Sequence, residues 1–326
     1  MSISTIGRLY GVNGDTLSRL YKYTLSGYSQ WTGMSLLERS GISYVVFPEN
    51  CGPYLSIDET AFSRDEVFTI VTNKDAHGKK GALVTIIQGV RSADIIEVLV
   101  TCIPLSKRIK VKEITSDLSS AMMEASSISF PQAYLVNDRF HVQQLFNEAI
   151  DEVRIDIRHQ VRREEAEMKE FCDECEQDFI PQKYNGETMP QILARTKHAL
   201  MMPSNKWKPE QSQRIKILFD HFPVLKYAYE RMSELRNLFN LKQSVTQAGV
   251  KLAKWYEKVL EMKRESFNTV VRTFKNNYIT ILNYFRSRAT NASAESFNAK
   301  VKMFRAQLRG VRDTAFFIFR ICKLFA

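Results

Sequence analysis

With 326 residues and 44% hydrophobic content, the chain can bury a full core, which excludes an unfolded polypeptide and leaves room for one large domain with additions or for two domains. A formal net charge of +10, with a pI near 9.3, points to a polyanionic partner. Five cysteines (51, 102, 172, 175 and 322) build no disulfide framework and suit a reducing cytoplasm, and neither a secretory leader nor a membrane span is expected.

In chain order, residues 3–24 predict two short helices. The first ends at Gly11, where positive φ is cheap, and the second is capped by Asp15, with Leu17 and Leu20 turned inward. Thr16, Ser18, Arg19 and Lys22 then face outward, and the small Gly7 lets the helices approach. This is a helix-turn-helix pattern, whose second helix enters the DNA major groove; the alternative is a helical hairpin that only packs. Two helices cannot bury a core, so the pair must lean on a neighbour.

From Tyr44 the chain turns β-rich. Residues 54–58, 67–72 and 82–88 read as an antiparallel meander, each bounded by polar or glycine turns. Next come a helix over 92–101, a strand over 111–117, a helix over 119–127 and a strand over 133–138, an alternation that favours parallel additions to the sheet. Beyond His141 the chain is helical and charged to about residue 287, punctuated near 181–190 and 203–209. Cys172 and Cys175 form a solitary Cys-x-x-Cys in an acidic run; zinc would need a second ligand pair, and none follows at usable spacing.

A last helix carries Glu295, Asn298, Lys302, Arg305 and Arg309 on one face, with Phe297, Val301, Phe304 and Leu308 opposite. Between residues 267 and 326 there are eleven Lys and Arg against two acids, so this is the expected polyanion-facing segment. Lys300, Lys302, Arg305, Arg309 and Arg312 are the candidate phosphate contacts. A lone carboxylate there suggests a metal site beside phosphates; the bland alternative is a solvated charged face. The order β-β-β-α-β-α-β sets the strands of Asp58 and Asp117 side by side, so their carboxylates could converge with Glu295 into a set suited to a pair of Mg²⁺ ions. Taken singly, Asp58 with Glu59 could be a surface pair, and Asp117 could cap the helix that follows it.

The strings Ser56-Ile-Asp58-Glu59-Thr60, Ile114-Thr-Ser-Asp117, Asp138-Arg-Phe-His141 and Asn291-x-x-x-Glu295-x-x-Asn298-x-x-x-Lys302 resemble the DDE transposases of the ISL-three group of bacterial insertion sequences. The resemblance covers roughly residues 54–142 and 288–322. It implies an α/β fold with a ribonuclease-H-like mixed sheet, a long all-helical insertion and a preceding helix-turn-helix, divided as 1–30, 31–142, 143–287 and 288–326. It further implies a catalytic and metal-binding triad of Asp58, Asp117 and Glu295, with Asp138, His141 and Asn298 near the site in a role that stays unassigned. Members usually open with a Cys-rich zinc-binding region. This chain starts close to the helix-turn-helix, so a separately encoded zinc-binding partner, or an element that manages without one, is implied.

The expected activity is Mg²⁺-dependent cleavage and strand transfer at transposon ends, with Mn²⁺ able to substitute. Double-stranded DNA and a homo-oligomer assembled on it are the expected partners, in the cytoplasm at the nucleoid. A non-catalytic DNA-binding regulator and a ribonuclease-H-like nuclease are the rival readings.

Overall fold

The computed structural model describes residues 3–62, 66–308, 311 and 313–326, and it divides into two compact units, 1–138 with 288–326, and 139–287. The first opens with α1 (Ile3–Leu9) and α2 (Gly14–Leu20). Gly7 is buried at their crossing, and a Cβ there would sit 2.6 Å from the Val12 carbonyl oxygen, so only glycine permits this approach. The N-cap of α2 is Asn13 rather than the expected Asp15: the Asn13 side chain accepts from the Asp15 and Thr16 amides, which leaves Asp15 inside the first turn. Leu20 does not turn inward as the amphipathic pattern predicted. It is 47% exposed, because the chain runs on as a wide helical turn over Tyr21–Leu25, and packing there falls to the aromatic residues that follow.

The sheet elements are β1 (Ser35–Leu36), β2 (Ser43–Val46), β3 (Tyr54–Ala61), β4 (Val67–Asn73) and β5 (Leu83–Gln88). They are followed by α3 (Ser92–Cys102), α4 (Leu105–Arg108), β6 (Glu113–Ser116), α5 (Ser120–Ser129) and β7 (Tyr134–Asn137). Together the strands make a mixed seven-stranded sheet in the order β1-β2-β5-β4-β3-β6-β7, antiparallel from β1 to β3 and parallel across β3, β6 and β7. The expected meander and parallel additions are all present. β1 and β2 extend the far edge, and β3 runs three residues past Asp58, which therefore lies within a strand and not at its end.

Alternation along β3 divides the core. Leu55 and Ile57 pack in a cluster with Ile95, Val98 and Leu99 of α3 and Met122 and Ala125 of α5. Ser56 and Asp58 point to the other face.

The second unit begins with α6 (Arg139–Glu174), 36 residues long, so the helical segment starts at Arg139 rather than 143. A short hairpin, β8 (Lys183–Tyr184) and β9 (Glu187–Thr188), interrupts what was expected to be all helix. Then follow α7 (Met189–Arg195), α8 (Lys197–Leu200), α9 (Pro209–His221), α10 (Pro223–Asn240), α11 (Val245–Leu260), α12 (Glu265–Asn276) and α13 (Tyr278–Ser287). Phe146 of α6 anchors this core, its ring 5.1 Å from Trp255 and 5.2 Å from Phe267. No helix among the described residues is long and apolar enough to cross a membrane.

The chain returns to the first unit with α14 (Ala292–Gln307) and α15 (Thr314–Phe325). Both cover the second face of the sheet, where Phe297 and Val301 join Phe68, Ile70 and Ile86. Each of those two α14 side chains is fully buried and contributes about 1.5–3 kcal/mol. α14 is thereby fixed against β3.

Candidate active site

The ladder that pairs Tyr54 with Glu113 and Ser56 with Thr115 in parallel, extended two residues, sets Asp58 opposite Asp117. The ladder that pairs Ser116 with Asn137, extended by one, sets Asp117 opposite Asp138, whose amide still donates to the Ser116 carbonyl at 2.9 Å. Carried past the strand ends, this register brings the three aspartates to one level at a spacing of roughly 4.8 Å per strand, Asp58 within β3 and Asp117 and Asp138 just beyond β6 and β7.

Two buried contacts bring α14 to the face of Ser56 and Asp58. Ser56 donates through its hydroxyl to Asn291 Oδ1, immediately ahead of the helix, and Asn298 Nδ2 donates to Asp58 Oδ2 at 2.6 Å. Asn298 was expected on the charged face, yet it is 9% exposed and belongs to the buried side with Ala294, Phe297 and Val301. Glu295 lies three residues earlier in the first turn of α14, exposed, where the helix dipole favours a carboxylate. Three residues, a rise of about 4.5 Å along the helix, therefore separate Glu295 from the residue whose amide holds Asp58.

Each aspartate is oriented by the protein. Asp58 Oδ1 also accepts from the Glu59 amide at 2.9 Å. Asp117 Oδ1 accepts from the Ser119 amide at 2.9 Å, a turn contact just ahead of α5, and its backbone carbonyl accepts from Asn137 Nδ2 at 2.7 Å. Asp138 is 2% exposed. Among the described residues no three His, Cys, Asp or Glu side chains gather closely enough to hold a metal ion. The Asp58 and Asp117 carboxylates each accept from amide donors. The donor set is nevertheless all oxygen and carboxylate-rich, the chemistry Mg²⁺ selects.

Sequence reasoning missed Lys74, which is nearly buried and bonds both Glu113 Oε1 and Thr115 Oγ1 at 2.7 Å, bracing the strand that delivers Asp117. A lysine just after a strand carries no local signal of such a partner. His141 belongs to α6 in the second unit, half-buried, with its ring edge-on to Phe140 at 5.7 Å.

The candidate DNA contacts divide. Thr16, Arg19 and Lys302 are exposed. Ser18 turns its hydroxyl back to the Gly14 carbonyl at 2.8 Å. Lys22 does not face outward: it pairs with Asp313 at the start of α15 and lies 5.1 Å from the Tyr28 ring centroid, because a cation so close to a carboxylate and aromatic faces is better satisfied there than in water. Lys300 donates to the Gly78 carbonyl at 2.7 Å and Arg305 to the Ala61 carbonyl at 3.4 Å, so both are half-tethered to backbone of the first unit. Arg309 and Arg312 lie outside the described residues.

Residues 55–321 match the family model DDE_Tnp_ISL3, described as Transposase. The chain belongs to the ISL3 family of DDE transposases. It is also 23% identical over 269 residues to the transposase for insertion sequence element IS1001 of Bordetella parapertussis, an alignment covering 82% of this chain and 60% of that relative. The chain thus spans about three fifths of the length of the curated relative it matches. No solved structure matches it significantly.

Proposed function

We propose that this ISL3-family chain is a DNA transposase that cuts and joins strands by metal-dependent phosphoryl transfer at the ends of an insertion sequence. The observation that supports the reading is the parallel register of β3 and β6, which, carried two residues past Ser56 and Thr115, brings Asp58 level with Asp117, together with the Asn298 contact that brings the helix of Glu295 to Asp58. Asp58, Asp117 and Glu295 would hold two Mg²⁺ ions, or Mn²⁺ in their place. Such a pair supplies activation of the attacking oxygen and charge stabilisation of the leaving one. Asn298 and the Glu59 amide aim the Asp58 carboxylate, and the Ser119 amide aims that of Asp117. Lys302 and Arg305, one and two turns beyond Asn298, are placed to take the phosphates of the strand being cut. The five-strand core β5-β4-β3-β6-β7 supports a ribonuclease-H-like fold, with residues 139–287 as its insertion. The α1–α2 pair is read as a helix-turn-helix whose Thr16 and Arg19 reach DNA.

The test is cleavage of DNA carrying the element's ends in Mg²⁺. Asp58→Ala, Asp117→Ala and Glu295→Ala are each expected to abolish cutting while end binding stays the same or tightens, since a repulsive carboxylate is removed. Normal cutting by Asp117→Ala would overturn the triad. End binding by the wild-type chain without any cutting would favour a regulator.

A further inference from the structure

The second unit contains a groove of about 1030 Å³ that the proposed chemistry leaves unused. Its walls are the first turns of α6, the segment around Met201 and Lys206, and the end of α10. Arg236 lines it. Its guanidinium is half-buried beside Tyr229, whose ring centroid is 5.9 Å away; it donates through Nη2 to the Met201 carbonyl at 2.6 Å and has Nη1 buried without a well-formed hydrogen bond. Among the described residues no carboxylate pairs with it, and burial pulls its pKa down. A buried cation without a counter-charge is costly, so such a position points to an anionic ligand.

The rest of the lining says which anion. Phe140 is 58% exposed on the groove. Asn147 lines the same wall, with Oδ1 buried and unbonded, beside Gln143. An open aromatic face stacks on a base, and primary amides offer the paired donor and acceptor that base edges require. Arg139, bonded to Asn240 Oδ1 at 3.2 Å, and Lys206 add positive charge. The groove also carries three acids: Asp151 is paired with Arg154 and Lys197, Glu148 accepts from the Gln144 amide, and Glu152 is exposed.

We propose that this groove binds an unstacked nucleotide of single-stranded DNA, its phosphate at Arg236 and its base on Phe140 with Asn147 at the base edge. The inference rests on DNA being the substrate, and it does not depend on the triad. A duplex must surrender a nucleotide from its stack to fill such a site, which costs least at a frayed or nicked end. Free nucleotides offer the same chemistry and are a second source to be separated by experiment.

The experiment uses the full-length chain carrying Asp58→Ala, so that nothing is cut, and fluorescence anisotropy with three labelled probes. These are a blunt duplex, the same duplex with a short single-stranded thymidine tail, and that tailed duplex with abasic sites in the tail. The tailed duplex is expected to bind more tightly than the blunt one, and Phe140→Ala to remove that preference, a loss of roughly 5- to 150-fold, with blunt-duplex binding unchanged. The abasic tail should behave as blunt, and dTMP in excess should compete only for the tail-dependent part. Because Phe140 is exposed, its truncation empties no core. A tail carrying 5-iodouracil, irradiated on the complex, should cross-link to the peptide that contains Phe140. Equal binding of blunt and tailed probes, a preference that survives Phe140→Ala, or a cross-link elsewhere would each overturn the proposal. A chain that cuts DNA but shows no tail preference refutes this inference alone, and one that prefers the tail but never cuts refutes the catalytic reading alone.

Discussion

Replacing Asn298 by alanine tests the site through a residue that is neither acidic nor a proposed metal ligand. Its amide donates to Asp58 Oδ2 at 2.6 Å from a position 9% exposed, so water cannot readily take its place. A hydrogen bond to a charged group contributes about 1.5–3 kcal/mol. At about 1.36 kcal/mol per factor of ten, its loss is worth roughly 10- to 150-fold, in line with the 10- to 100-fold typical for partners that orient metal ligands. Asn298→Ala is therefore expected to lower Mg²⁺-dependent cutting by one to two orders of magnitude and to shift the Mg²⁺ midpoint upward. Phe297 and Val301 still hold α14 in place. The assay is initial cutting rate against Mg²⁺ concentration, with the thermal midpoint recorded in parallel. An unchanged rate and midpoint in a folded variant would refute the argument that Asn298 aims Asp58, and a rate that falls only as the protein melts would reduce it to a packing role.

Three further outcomes follow from the same contacts. The double variant Lys302→Ala with Arg305→Ala should flatten the slope of log affinity against log salt by roughly two, at about 0.9 per phosphate, and an unchanged slope would show a face that is only solvated. Gly7→Ala would place a methyl 2.6 Å from the Val12 carbonyl and force α1 and α2 apart at a cost of about 1–3 kcal/mol; hydrogen exchange over residues 3–20 should speed up, and unaltered protection would refute the crossing. The Lys22–Asp313 pair makes docking of the N-terminal segment on α15 pH-dependent. Burial alone would raise the Asp313 carboxyl, but the Lys22 ammonium and the Phe316 amide hold it below its ordinary 3.8, so its contribution is present above that value and is lost as pH falls through the lower folded one. The same carboxylate raises Lys22 above 10.5, so that contribution is lost only as pH rises through the higher folded value. Limited proteolysis of the segment should accelerate at the acid end, and Asp313→Asn should remove the acid-side dependence. A flat profile in the unaltered protein would refute the coupling.

What could be read from sequence followed the range of the interactions. Hydrophobic alternation and turn residues act over a few positions, and they were enough to place the meander, the parallel strands and the adjacency of Asp58 with Asp117. Helix caps are equally local, yet Asn13 and Asp15 compete for one cap within three residues. Asn13 takes it, accepting from two amides, and no pattern ranks the two beforehand. Lys22 was misplaced for a different reason: its partner Asp313 lies 291 residues away, so the local amphipathic pattern could only send a lysine to solvent. The same separation governs the site. Asn298 reaches Asp58 across 240 residues and Ser56 reaches Asn291 across 235, and each contact exists only because Phe297 and Val301 bury the neighbouring face of α14 against the sheet. Helical period alone put Asn298 beside Glu295 on the charged side. It took the position of the sheet to show that the boundary between the buried and solvated faces of α14 passes between those two residues, Asn298 turned to Asp58 and Glu295 to solvent.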